Sequence, residues 1–321
     1  MTHTVTLGYW LSSEEHPPSA LVDLAADAEA AGFGTAMISD HFHPWVRQQG
    51  QAPFVWGVLG AIAERTTSLR VGTGVTAPIR RLHPAVVAHA AATAAALMPG
   101  RFFLGVGSGE RLNEHVVGGA WPPATVRREM LEEAVDMIRE LLAGGTVSRR
   151  GRFFDVEDAE LFSRPDVPPP IMVAASGRRA ATLAGRIGDG LIGVAPSPAV
   201  VEAFEAAGGL GKPRVAQVHL CWASDPDHAR RTAHRWWPNA LVSGGALTDL
   251  ARPKDFEAIT QRSRPDDIAD VVVCGPDAGA HAKAIESFVA AGFDEIYLHQ
   301  IGPDQQGFMR FYQDKLAARF A

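Results

Sequence analysis

Short apolar runs rich in β-branched residues alternate with amphipathic helical patterns along nearly the whole chain. In the first helical pattern, Leu21, Leu24 and Ala28 repeat at the spacing of one helix face. Ser19 is expected as the N-cap of this helix and Gly32 as its end. The apolar runs predict eight strands, at residues 4–10, 34–39, 69–75, 101–107, 170–175, 189–194, 215–223 and 294–301.

Eight strands, each followed by a helix, are typical of an α/β protein with a (β/α)₈ TIM barrel. Two insertions interrupt the alternation. Residues 146–161 alternate on both sides of Arg150-Gly151, which predicts a hairpin before the fifth strand. Residues 238–276 form a segment rich in Gly and Pro between the seventh and eighth strands, where a lid or a dimer contact is expected. Since no linker or repeat divides the chain, we expect one domain over residues 1–321.

The composition is that of an ordinary soluble protein, with 46% hydrophobic and 21% charged residues. A net charge of −6 argues against a nucleic-acid partner, which clustered Lys and Arg would bind. Two cysteines without CxxC spacing argue against a zinc or iron–sulfur site. The N-terminus has no signal-peptide pattern, and the most apolar stretch, 85–98, is too short to cross a bilayer. We therefore expect a cytoplasmic protein with no membrane partner.

Polar side chains follow the first, second and fourth predicted strands. Strand two is followed by "SDHFHPW", strand four by "GSGERLNEH", and Glu14 lies after strand one. Because catalytic residues of a TIM barrel lie at the carboxyl ends of its strands, we expect these side chains to converge. The candidate residues are Asp40, His41, His43, Trp45, Glu110 and Asn113, together with Glu14.

Two kinds of site could use these residues. His41 and His43 have the alternating spacing with which two imidazoles bind one metal ion, as in a barrel hydrolase. Strands five and six, however, end in "VAAS" and "GLIGV", which supply no further ligand, so we expect no metal. The other kind is a pocket for a flat redox cofactor. Trp45 would provide an aromatic wall, and glycines such as Gly74 would allow close approach.

Other candidate positions have simpler interpretations. His43 precedes a proline and is expected to be structural, and His219 lies in an apolar strand pattern typical of a packed or surface histidine. Arg178 and Arg179 begin a helix directly after Ser176-Gly177. Free backbone N–H groups at such a helix start can bind an anion, so this turn is either a phosphate site or an ordinary solvated helix end.

The motifs "SDHFHPW", "GERLNEH", "RFFLGVGSGE" and "AGRIGDGLI" resemble the bacterial-luciferase-like superfamily in order and spacing. Within it they are similar to the group around the F420-dependent glucose-6-phosphate dehydrogenases. The resemblance runs from residues 7–10 to residues 304–308. It implies the same barrel, a homodimer, a small-molecule substrate and the deazaflavin coenzyme F420; FMN, as in a suspected sister group of flavin enzymes or monooxygenases, is the alternative cofactor.

The resemblance also assigns roles. His41 would be the general acid/base and Glu110 its partner in carrying the proton, while Trp45 and Glu14 would line the reacting centre. A non-proline cis peptide would fall at Gly74–Val75. The residues placed near the deazaflavin ring are Asp40, Gly74, Val75, Thr76, Ala77 and Asn113. Those placed near the phosphate-bearing tail are Ser176, Gly177, Arg178, Arg179 and Ala180.

This chain departs from the resembled group at the positions that bind a sugar phosphate. Where relatives have lysines and an arginine, it has Val194, Ser197 and, approximately, Asp270. A dianion without cationic partners binds poorly in a partly buried site. We therefore expect hydride exchange with a non-phosphorylated alcohol, carbonyl or activated alkene, and no use of glucose 6-phosphate. Ala77, where relatives have a hydroxyl, keeps FMN open as the cofactor.

Overall fold

Eight parallel strands close into a barrel in the computed structural model, which describes residues 5–320. The strands are β1 (Thr6–Leu11), β2 (Thr35–Ile38), β3 (Arg70–Thr73), β4 (Phe102–Val106), β7 (Ile171–Ala174), β8 (Gly190–Gly193), β9 (Arg214–Cys221) and β11 (Glu295–Gln300). The pairing of β8 with β9 closes the ring. The predicted TIM barrel is confirmed. Thr4, with which the first predicted strand begins, lies outside the described residues.

Three further strands lie in the two insertions. In 146–161, β5 (Val147–Arg150) and β6 (Asp155–Ala159) pair in antiparallel fashion. In 238–276, β10 (Val273–Cys274) pairs with the last two residues of β9. The second insertion therefore joins the barrel at the carboxyl end of β9, on the face where a barrel active site lies.

Helices surround the barrel. They are α1 (Pro18–Ala30), α2 (Val55–Arg65), α3 (Pro84–Leu97), α4 (Arg111–Glu114), α5 (Ala124–Ala143), α6 (Arg178–Ile187), α7 (Pro198–Phe204), α8 (Pro226–Trp236), α9 (Gly245–Asp249), α10 (Pro253–Thr260), α11 (Pro265–Ile268), α12 (Ala278–Ala290), α13 (Gln305–Phe311) and α14 (Ala317–Phe320). Within residues 5–320, no helix combines the length and hydrophobicity that a membrane span requires.

The first helix begins two residues earlier than its sequence predicts. Pro17 is the N-cap residue and Pro18 the first helical residue, so Ser19 is not the N-cap. Proline suits the first helical position because its φ is already helical and its missing N–H would have no partner there. The helix ends as expected, with Gly32 in the left-handed region at φ 94°.

Large side chains fill the interior of the barrel beneath its carboxyl end. Trp10, Met37, Phe103 and Tyr297, from four different strands, belong to one buried cluster. A glycine on a neighbouring strand makes room for the Phe103 ring: a Cβ at Gly72 would lie 2.1 Å from it. The barrel is thus a packed core, and its upper layer is the floor of the site described below.

Gly72→Ala should destabilise the protein by about 1–3 kcal/mol, because the added methyl group overpacks the interior against a rigid ring. Urea unfolding would measure the loss. Gly57 on α2 provides the matched control, since a Cβ there meets nothing within 4 Å. Gly57→Ala should stabilise the helix by about 0.5–1 kcal/mol. Equal stability of the Gly72 variant and the wild type would contradict this description of the interior.

Candidate active site

A cavity of about 440 Å³ opens at the carboxyl ends of the barrel strands. Trp10 and Gly74 lie at its floor, and the insertion 238–276 covers it through Asn239, Val242 and Thr248, among others. Its size falls in the range of small-molecule and cofactor pockets. The insertion thus contributes to the wall of the cavity, in keeping with the lid alternative.

His41 is held in one orientation at the cavity wall. Its Nδ1 lies 3.1 Å from the carbonyl oxygen of His43, and because a carbonyl can only accept, Nδ1 carries a proton. Its Nε2 lies 3.5 Å from Glu14 Oε1 and 3.6 Å from Glu110 Oε1. The Trp45 ring centroid is 5.1 Å from that of the imidazole. Nε2 is therefore the nitrogen that can exchange a proton at the cavity.

Glu14 is a buried carboxylate that stays charged. Burial alone would raise its pKa, but nearby His41 and a hydrogen bond from Ser39 outweigh burial and lower the pKa. Ser39 Oγ lies 2.5 Å and Ser12 Oγ 3.1 Å from Glu14 Oε2. Glu110 is more accessible, with 24% of its side chain exposed against 2% for Glu14. One carboxylate is enclosed by the protein, whereas the other is in contact with solvent.

Asn113 fixes the loop that carries His41. Its Oδ1 accepts the backbone N–H groups of Phe42 at 2.8 Å and His43 at 3.0 Å. Its Nδ2 donates to Glu110 Oε1. The same amide therefore sets the positions of the imidazole and of its more exposed carboxylate partner. His43 is structural, as expected, because its Nδ1 donates to the carbonyl oxygen of Leu112 at 3.0 Å.

Asp40 lies behind the cavity in a buried ionic cluster. Its Oδ1 accepts from Arg81 Nη2 at 2.8 Å and its Oδ2 from Thr76 Oγ1 at 2.7 Å. Glu114 shares the same guanidinium, with Oε1 3.7 Å from Arg81 Nε. One arginine cannot balance two buried carboxylates, and burial raises the pKa of Glu114 to about 7. The cluster is therefore neutral below this pH, and it anchors the start of the His41 loop.

The other predicted site residues divide into two groups. Gly74 and Val75 line the cavity, and the bond between them is a cis peptide, where the resemblance implied one. Thr76 and Ala77 are buried next to it, and Asp40 and Asn113 hold loops instead of lining the cavity. A second group lies at the carboxyl end of β7, outside the cavity lining, and comprises Ser176, Gly177, Arg178, Arg179 and Ala180.

The turn after β7 has the features of an anion site. No side chain caps the N-terminus of α6, which begins at Arg178. Both Arg178 and Arg179 are exposed there. Free backbone N–H groups and the positive end of the helix dipole favour a phosphate.

The arrangement of the His, Cys, Asp and Glu side chains does not favour a metal site. Across residues 5–320, no group of three or more His, Cys, Asp and Glu side chains is arranged to hold an ion. His43 is turned to Leu112, so the two histidines of the HxH pattern do not share a ligand position.

Known proteins resemble this chain over nearly its whole length. The luciferase-like monooxygenase family matches residues 2–295. The chain belongs to this family. The F420-dependent glucose-6-phosphate dehydrogenase of Microbacterium testaceum (strain StLB037) is 34% identical, over 99% of this chain and 98% of the relative. That of Kribbella flavida (strain DSM 17836 / JCM 10339 / NBRC 14399) is 36% identical, over 97% of each chain.

One solved structure is close to this chain in fold. An F420-dependent secondary alcohol dehydrogenase in complex with an F420-acetone adduct has a TM-score of 0.91 and 29% identity. The match covers 98% of this chain and 99% of that one. The family resemblance stated from the sequence motifs is confirmed.

Sequence patterns missed several residues of this site. Ser39, Gln217 and His219 line the cavity, beside Trp237. His219 was expected to be a packed or surface histidine, but the exposed part of its side chain faces the cavity. The alternation of β9 could have indicated these two residues, because Gln217 and His219 are two positions apart and so lie on the same face of the strand.

Glu114→Gln should remove part of the pH dependence of stability. Wild-type Glu114 keeps its proton up to a pH of about 7 when folded, against 4.5 as the ordinary value. Between these pH values the unfolded chain releases a proton that the folded chain retains, so wild-type stability falls as pH rises. The glutamine variant should be more stable than the wild type at pH 8 by about 1–3 kcal/mol, with a smaller difference at pH 4.5.

Urea unfolding at pH 4.5, 6 and 8 would measure this difference between the two proteins. Glu64→Gln, at an exposed position on α2, is the control and should leave stability unchanged at each pH. A Glu114→Gln protein less stable than the wild type at pH 8 would show that Glu114 is needed as a charged partner of Arg81.

Proposed function

We propose that this chain is an F420-dependent oxidoreductase that exchanges a hydride with a non-phosphorylated alcohol, carbonyl or activated alkene. The observation that carries the proposal is His41 Nε2, held between Glu14 and Glu110 at the wall of a cavity. Oxidation of an alcohol removes a hydride and a hydroxyl proton, and an imidazole is suited to the proton. The F420 enzymes to which the chain is similar support the choice of cofactor.

The residues present fit a deazaflavin. When bound, the coenzyme would supply the carbon that accepts or donates the hydride. Trp10 lines the cavity, and its buried indole N–H has no hydrogen-bond partner among residues 5–320, so a donor is available to a ligand. Gly74 and Val75 would lie against the ring, and the start of α6 after Ser176 would hold the anionic tail.

The chain's own groups would manage the proton. His41 Nε2 takes the hydroxyl proton from an alcohol, or returns it to a carbonyl oxygen. The fixed charge of Glu14 stabilises the imidazolium, and the more exposed Glu110 passes the proton to water. Trp45 packs between His41 and Phe256 and restricts the imidazole to this position.

The charge of the cavity favours a substrate without a phosphate. Among the described residues that line it, none is a lysine or an arginine, whereas Glu14 and Glu110 are acidic. The wall at Val194 and Val271 is apolar. A phosphate dianion placed there would be desolvated beside carboxylates and without a cation.

His41→Asn should lower kcat by about 10²–10⁴-fold while leaving F420 affinity unchanged. The asparagine amide can replace Nδ1 as the donor to His43, so the loop is retained and only the exchangeable nitrogen is lost. Fluorescence titration with F420 gives the affinity, and turnover of a secondary alcohol such as propan-2-ol gives kcat.

The same titration with FMN is the control for the cofactor. Saturable F420 binding without FMN binding is the expected result. Saturable binding of FMN alone would overturn the choice of cofactor in favour of the flavin alternative. Unchanged turnover in His41→Asn would instead contradict the acid/base role of His41. It would not affect the choice of cofactor.

Glucose 6-phosphate should not be turned over, for the electrostatic reason given above. The measurement is F420 reduction in the presence of glucose 6-phosphate, glucose or propan-2-ol at equal concentrations. Val194→Lys, with Val194→Met as its size-matched control, should raise the activity on the phosphorylated sugar relative to glucose, because it places a cation at the cavity wall. Efficient wild-type turnover of glucose 6-phosphate would contradict the proposed substrate class.

Two expectations from the sequence remain predictions beside this proposal. One is the cytoplasmic location. The other is the homodimer that the resemblance implies. Neither enters the arguments for the residues above, which lie within one chain.

A further inference from the structure

A second set of titratable side chains meets the cavity at β9 and β11. His219 and His299 are register partners in these two parallel strands, so their imidazoles lie side by side. Their Nδ1 atoms are 2.8 Å apart. His299 Nε2 lies 2.9 Å from Glu15 Oε2, and Glu15 Oε1 accepts the backbone N–H of Gly302 at 2.9 Å. A continuous hydrogen-bond chain thus runs from the cavity to a buried carboxyl group.

The hydrogen-bond chain ends at the cavity with His219 Nε2. His219 lines the cavity, and among residues 5–320 no group forms a hydrogen bond with this nitrogen. Trp237 packs on both imidazoles, with ring centroids 5.6 Å from His219 and 4.4 Å from His299. A ring buried on one side and open to the cavity on the other presents one polar atom to whatever occupies the cavity.

The chain of bonds permits two proton arrangements. When Glu15 is ionised, His299 donates from Nε2 and accepts at Nδ1, so His219 donates from Nδ1 and its Nε2 is a bare acceptor. When Glu15 is protonated, it donates to His299 Nε2, His299 donates from Nδ1, and His219 Nε2 carries a hydrogen. The second arrangement holds one proton more than the first, and that proton resides on Glu15. Both imidazoles are neutral in each arrangement.

We propose that His219 is a specificity-determining residue whose Nε2 hydrogen-bonds an oxygen of the substrate, and that Glu15, acting through His299, sets whether this nitrogen donates or accepts. The proposal rests on the proposed oxidoreductase function and deepens it. With Glu15 protonated, the cavity offers a donor that a carbonyl substrate needs. With Glu15 ionised, it offers only an acceptor, which cannot bond a carbonyl oxygen and competes with His41 Nε2 for the single hydroxyl hydrogen of an alcohol.

Glu15, His299 and His219 together form an array of hydrogen-bonded groups. The pKa values of these three groups support the assignment. Burial raises the pKa of Glu15 to about 7, so the carboxyl group changes state near neutral pH. Burial lowers the pKa of His219 to about 3 and that of His299 to about 4, so neither ring takes up the charge instead.

The neighbouring groups do not titrate in the same way. Glu14, whose charge reaches both histidines, keeps that charge because its pKa is lowered. His16, beside Glu15, has a pKa lowered by burial. Tyr9 and Cys221 stay protonated because burial raises the pKa of each. The change near pH 7 therefore falls on Glu15.

Nitrogen-15 NMR of labelled histidines in the cofactor-free protein tests the array without any activity. Above pH 8 we expect hydrogen on His219 Nδ1 and His299 Nε2; below pH 6 we expect both tautomers to have switched together. Glu15→Gln should show the low-pH pattern at every pH, because its carbonyl oxygen keeps the Gly302 bond and its amide then donates to His299. His219→Phe assigns the signals, and His89→Asn, on the exposed face of α3, is the control.

Steady-state kinetics of acetone reduction by reduced F420 test the effect on substrate. The wild-type KM for acetone should rise about fivefold from pH 6 to pH 8, the size of one net hydrogen bond, with kcat changed much less. In Glu15→Gln the KM should stay at its low value, and in His219→Phe it should stay high. A merely structural role of Glu15 and His219 would not change KM with pH while leaving kcat nearly constant.

The outcomes separate the two proposals. Tautomers that stay fixed between pH 6 and 8, or an imidazolium signal from His219 at pH 6, would overturn the array whether or not the protein uses F420. A tautomer switch with no pH effect on KM in an active enzyme would overturn the contact with substrate. No F420 turnover at all would count against the proposed function and leave the NMR result to decide the array.

Discussion

The site depends on one imidazole placed between two carboxylates at the mouth of a closed barrel. His41, Glu14 and Glu110 come from the ends of three different strands, and barrel closure brings those ends to one face. The histidine and Ser39 let Glu14 remain ionised although it is buried. Burial by itself acts against the ionised form of Glu14, and so against the charge that stabilises an imidazolium.

Around this centre, burial and the charged neighbours of each buried acid determine the direction in which its pKa is shifted. Arg81 makes its short ion pair with Asp40, while burial raises the pKa of Glu114. Glu14 takes the interaction with His41, while Glu15 faces neutral His299 and has a raised pKa as well. The fixed charges therefore lie next to the proposed reaction, and the two acids with a pKa near 7 lie behind it.

The sequence was sufficient for the barrel and for the part of the site that follows strand ends. Periodicity shows which segments are strands, and the strand-end rule then brings Glu14, His41 and Glu110 together without knowledge of any distance. The sequence alone could not predict contacts between distant segments. Glu15 and His299 are 284 positions apart, and their bond depends on the pairing of β1 with β11. The role of Asn113 as a loop anchor is likewise a matter of atomic position.

The two walls of the cavity differ in how they handle protons, and that difference fits an uncharged substrate. On the His41 wall, a fixed carboxylate and an accessible one flank a nitrogen that can become cationic. On the His219 wall, burial keeps both rings neutral, so that wall can orient an oxygen but offers it no charge. A phosphate would require a permanent cation on at least one wall, and among the described lining residues none is a lysine or an arginine. An alcohol or ketone requires only a proton at one side and a hydrogen bond at the other, and both walls supply these without a lysine or an arginine.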